Sequence, residues 1–118
     1  MANVLVVNAH PLAAEDSQTV TVLEAFLNEH EATHPEDVIT MLDLYYTDIP
    51  EIDGELLSAW KSLQKGTEFT ELSNSQQEKV RLFNEFTDQF LAAEKIVIAN
   101  ALWNLNIPTK LKAWFDTI

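Results

Sequence analysis

Three short apolar runs divide the chain, and segments with helical spacing separate them. Val4 to Val7 is continuous and rich in β-branched residues, which predicts a strand covered on both faces, as in a parallel sheet. Asn8 to Asp16 is predicted as a loop. Ser17 to Glu31 then places Leu23, Phe26, Leu27 and His30 at i, i+3, i+4 and i+7, the spacing of one helical face. Asp16 or Ser17 caps this helix, and Pro35 prevents its continuation. Asp37 to Asp43 is predicted as the second strand, Leu44 to Ile52 as a loop, and Gly54 to Lys65 as a short helix. After a connection over Gly66 to Leu72, Ser73 and Gln76 form an S-x-x-Q capping box. The helix behind it carries Val80, Phe83, Thr87, Phe90 and Leu91 on one stripe and ends near Ala93. Lys95 to Ala99 is the third strand, and Pro108 occupies the first turn of a last helix through Leu111, Trp114 and Phe115.

The order β-α-β-α-α-β-α implies right-handed parallel crossovers and an α/β sheet in a single domain, 1–118. In such sheets ligands sit beyond the carboxyl ends of the strands, where the strand order reverses. For order 2-1-3 that point lies between the first and third strands, and its loops are Asn8 to Asp16 and Asn100 to Pro108.

Composition narrows the chemistry. Hydrophobic residues make up 47% of the chain, enough for a core, and no cysteine is present, which removes disulfides and thiolate metal sites. The net charge of −12 repels nucleic acid and anionic membranes. The start, MANVLVVNAHP, lacks a basic segment, and its apolar run is too short for a signal or a membrane span, so a cytoplasmic protein is expected. No Lys or Arg precedes Lys61, so an anion bound by the first half must be held by backbone amides, hydroxyls or a histidine. With 2 glycines there is no GxGxxG and no GxxxxGK[ST].

Two constellations remain. In NAHPLAAEDSQT a strand runs into a helix that opens with Ser17, Gln18 and Thr19, so free amides and hydroxyls form an anion site without a lysine, and His10 adds a charge or a donor. On the plainer reading Ser17 is only a cap and His10 a loop residue. In LWNLNIP a planar ligand has Trp103 near its ring and Asn104 at its edge; on the plainer reading Trp103 is core and Asn106 caps the last helix. From these stretches alone both readings stand. His30-Glu31-Ala32-Thr33-His34 matches the zinc-protease pattern H-E-x-x-H, but it falls at a predicted helix end before Pro35, where solvated histidines near the helix dipole suffice. Ser17 has no triad partner, and Trp60, Phe69, Trp114, Phe83 and Phe90 are expected in the core.

Together the two loops resemble those of the FMN-dependent NADH:quinone/azo-compound oxidoreductases (azoreductases), a flavodoxin-like family. The resemblance runs through NVLVVNAHP, Ser17-Gln18-Thr19, LDLYYTDIPEIDGELL, LSNSQQEKV and, most specifically, ALWNLNIPTKLKAWFD. It implies FMN as cofactor, NAD(P)H as co-substrate, a quinone or azo acceptor and a homodimer, with no covalent catalytic residue and no metal. By position, phosphate and ribityl contacts fall on His10, Ser17, Gln18 and Thr19, and isoalloxazine contacts on Leu102, Trp103, Asn104 and Leu105. His10 replaces the small hydroxyl common in the family, while Leu102 and Leu105 replace Met and Phe. Family members are longer, with two more strands and a Gly-rich loop. The expectation is a flavodoxin-like three-layer parallel sheet truncated after three strands, either a fragment or a short protein that associates through the apolar edge of the third strand. A half-fold acting as a protein-interaction module is the alternative.

Overall fold

In the computed structural model, which describes residues 1–118, three parallel strands form one sheet in the order β2-β1-β3. They are β1 (Asn3–Ala9), β2 (Val38–Asp43) and β3 (Lys95–Asn100). The helices are α1 (Gln18–Thr33), α2 (Gly54–Gln64), α3 (Asn74–Ala92) and α4 (Thr109–Phe115). Each strand lies within two residues of its predicted limits at either end, because apolar and β-branched runs mark all three, although only β1 is buried on both faces.

The period of two along β1 sorts its side chains between two layers. Val4 and Val6 pack with Leu23 of α1, while Leu5, Val7 and Ala9 face Phe86 of α3 and Leu111 and Trp114 of α4. A satellite cluster holds α2 to α3 through Leu56, Ala59, Val80 and Phe83, with Trp60 edge-on to Phe83 at 5.0 Å. The capping box of α3 forms as written: Ser73 Oγ accepts from the Gln76 amide and Gln76 Oε1 accepts from the Ser73 amide, each at 3.1 Å.

Four local expectations change. Pro108 is the cap preceding α4 rather than part of its first turn. On α3 the buried positions are Val80, Phe83 and Phe86, whereas Leu91 is 70% exposed. On α1, Leu23 is buried but Phe26 is exposed. Periodicity records where apolar side chains point, but burial also needs a neighbour on that side. The fourth change is at the end of α1, where His34 is exposed as a solvated terminus should be, but His30 is engaged. His30 Nε2 lies 3.0 Å from Asp37 Oδ2, which also accepts from Lys95 Nζ at 2.8 Å, while Asp37 Oδ1 accepts from the Ala2 amide at 2.9 Å. Asp37 therefore gathers the amino ends of all three strands and the end of α1. The exposed His34 stacks on His30 at 4.7 Å, while His30 Nε2 is engaged by Asp37 in a structural clamp.

Lys95 beside Asp37, followed by the Ala2 amide, holds this carboxyl well below the usual carboxylate range. A carboxyl depressed in the folded state stabilises at pH values above its unfolded value, about 4, and that stabilisation is lost as pH falls through and beneath it. Asp37→Asn is thus expected to lower the urea midpoint at neutral pH and to shrink its further loss on acidification to pH 3. Equal acid losses in both proteins would refute the clamp.

The chain forms a slab of 49 × 37 × 20 Å with a radius of gyration of 17.0 Å, against about 13.5 Å for a compact domain of this length. Its accessible surface is 7517 Å², roughly 1,000 Å² above that of a compact monomer of this mass. Some of the exposed apolar residues, Val22, Phe26 and Ile98, lie beside β3, which has only β1 as a neighbour. A cleft of about 500 Å³ runs there between Val22 and Phe26 of α1 and Val97, Ile98 and Ala99 of β3.

Candidate functional site

The carboxyl ends of the strands lie side by side, with Ala9 level with Asn100 and Asn8 level with Asp43. Three loops therefore leave one edge of the sheet together.

The loop after β1 descends through a 3₁₀ turn at Ala14–Asp16 to Ser17, the cap of α1. Ser17 is buried, and its Oγ accepts from the Val20 amide at 3.2 Å. Capping uses one lone pair and leaves the hydroxyl hydrogen to donate. The amides of Gln18 and Thr19, in the first turn, have no partner within the helix and carry its positive dipole end. Gln18 is exposed and Thr19 half-buried, and both line the cleft that reaches Asn100.

The loop after β3 closes on itself. Trp103 and Asn106 exchange both backbone hydrogen bonds, at 2.9 and 3.0 Å, around the two central residues Asn104 and Leu105. Their φ angles are +51° and +63°, a type I′ turn. Asn accepts this conformation; for Leu it costs about 1–2 kcal/mol. Strain of this kind persists where the surroundings impose it, commonly at functional sites. The turn also holds apolar groups in water, with Leu105 92% and Leu102 67% exposed. Trp103 is partly exposed rather than core, and Asn106 Oδ1 accepts from its neighbour Ile107, so it does not cap α4.

His10 joins the two loops. Its ring lies edge-on to Trp103 at 5.5 Å, and Tyr45, from the loop after β2, meets the same indole at 6.1 Å. His10 is buried, and its Nδ1 accepts from the Leu12 amide at 3.1 Å. The eight residues singled out from sequence thus occupy one edge of the sheet, Ser17 to Thr19 at one end and the 102–105 turn at the other. Tyr45 and Tyr46 were not anticipated, although the loop carrying them leaves the same edge. Asn8 was also missed: it donates to Asp43 Oδ1 at 2.8 Å, and its own Oδ1 is buried without a partner. The largest cleft, about 580 Å³ between Asp48–Asp53 and α3, has other residues: Lys79 there pairs with Asp53 and Glu55.

A parallel sheet in order 2-1-3, with free helix amides and an aromatic turn at its switch point, defines a doubly wound α/β fold. A family model described as flavodoxin-like fold matches residues 2–118, and the chain belongs to this family. It is 43% identical over 118 residues to an FMN-dependent NADH:quinone oxidoreductase of Streptococcus suis, and 44% over 117 residues to an FMN-dependent NADH:quinone oxidoreductase 2 of Listeria monocytogenes. These matches take in 100% and 99% of this chain but 57% and 56% of the relatives. An FMN-dependent NADH-azoreductase from Bacillus anthracis, solved in complex with FMN, superposes with a TM-score of 0.90 at 33% identity, covering 98% of this chain and 55% of that one. The chain therefore spans little more than half the length of the proteins it matches. No helix is long and apolar enough to cross a membrane.

Proposed function

We propose that the chain forms a single FMN-binding domain, 1–118, serving an oxidoreductase that passes reducing equivalents from NAD(P)H to quinones or azo compounds. The observation that carries this reading is the His10–Trp103 contact, which brings the loop leading to α1 against the strained apolar turn across neighbouring strand ends. The residues fit the cofactor. Unpaired amides of Gln18 and Thr19 with the Ser17 hydroxyl offer donors for a phosphate, which a protein of charge −12 has to capture locally. Leu102, Trp103 and Leu105 offer apolar area for a planar ring, and Asn104 offers an edge partner. When bound, FMN supplies the redox chemistry, while the side chains orient it and exclude water. A homodimer in the cytoplasm, with the relatives' cofactor and substrates, completes the proposal.

The test is the visible spectrum and flavin-fluorescence titration of the purified chain with FMN. Asn104→Ala is expected to weaken binding about fivefold, the value of one hydrogen bond. Ser17→Ala is expected to weaken it as well, and to cost about 1 kcal/mol of helix stability as a lost cap. Unchanged titrations for both variants would remove the site assignment. The free edge of β3 favours one other reading, a half-fold that engages a protein partner there. A chain that stays colourless with FMN supports it.

A further inference from the structure

Tyr46 is 78% exposed, yet its hydroxyl donates to the Pro11 carbonyl at 2.7 Å, across 35 residues of sequence. Its base is firm: Leu44, in the same 3₁₀ turn, is fully buried, and Thr47 Oγ1 donates to the Asp43 carbonyl at 2.6 Å. The Pro11 carbonyl and the Leu12 amide belong to one peptide unit. That unit is held on both sides, by Tyr46 at its oxygen and by His10 Nδ1 at its nitrogen. A ring nitrogen that accepts an amide hydrogen is bare, so the ring proton must sit on Nε2. Turning this peptide would withdraw the Leu12 amide and release the choice of tautomer.

We propose that Tyr46 is a positioning residue: by latching the Pro11–Leu12 peptide it holds His10 as a neutral Nε2–H donor for the phosphate of the bound flavin. The inference rests on the flavin reading for its ligand but not for its tautomer. It resolves the two roles open to His10 in the sequence in favour of a donor. The anion site then consists wholly of neutral donors, in keeping with a first half that has no Lys or Arg.

Tyr46→Phe removes one exposed hydroxyl and leaves the core intact. Nitrogen-15 NMR of the His10 imidazole in the full wild-type chain is expected to show a bare Nδ1 and a protonated Nε2. In Tyr46→Phe the two tautomers are expected to mix, FMN affinity to fall about fivefold and riboflavin affinity, which lacks the phosphate contact, to stay unchanged. An unaltered tautomer signature in the variant, a wild-type Nδ1 that carries the proton, or equal losses for FMN and riboflavin would each overturn the latch. If the wild-type chain binds no FMN, the flavin reading falls, and the tautomer comparison alone supports or overturns the positioning role.

Discussion

Trp114→Ala is expected to cost about 3–5 kcal/mol, a large part of the total stability of a domain this size. Trp114 is fully buried among Leu5, Val7, Leu44, Phe86 and Leu111, and meets Phe90 edge-on at 6.2 Å. It also anchors α4, whose seven residues are too few to hold a helix without tertiary packing. Since α4 receives the chain leaving the 102–105 turn, the damage should spread to the candidate site. The indole Nε1 has no partner, so Trp114→Phe discards an unsatisfied donor while keeping the ring, and should cost far less. Urea unfolding of both variants checks this. A loss below about 1 kcal/mol for the alanine variant would show that the core does not depend on this residue.

The second large effect concerns binding. Trp103→Ala is expected to lower FMN affinity about 30-fold, as loss of a central aromatic anchor typically does. Stability should fall by only about 1 kcal/mol, the value of the aromatic pairs with His10 and Tyr45. Flavin titration and urea unfolding on one preparation separate the two effects. If stability falls as stated while FMN affinity is unchanged, Trp103 is a packing residue of the turn and the ring site lies elsewhere.

Much of the candidate site was legible because its parts are local. Ser17 ends a loop and opens a periodic segment, and its cap forms within three residues. The LWNLNIP stretch follows an apolar strand at the edge where parallel sheets bind ligands, and its composition suits a planar ring. The turn type was not legible. Asn-Gly announces a type I′ turn, whereas here a leucine occupies the second left-handed position, against its own preference. Tyr45 and Tyr46 carried one available signal, a loop leaving β2 at the same edge, but nothing local joins Tyr46 to Pro11.

Local patterns in the sequence were enough for the strands, the helices, the caps of α1 and α3 and the parallel class of the sheet. Each depends on residues a few places apart: a run of buried side chains, a hydroxyl three positions before an amide, a proline at a helix boundary. Tertiary structure alone decided the rest. It placed Asp37 between His30 and Lys95, brought His10 and Tyr45 onto one indole, and clamped a single peptide between Tyr46 and His10. It also left Phe26 and Ile98 exposed, since an apolar face is buried only where another element lies against it. The longer contacts among these, such as Tyr46 with Pro11 and His10 with Trp103, 35 and 93 positions apart, depend on which strand ends become neighbours, which no local pattern records.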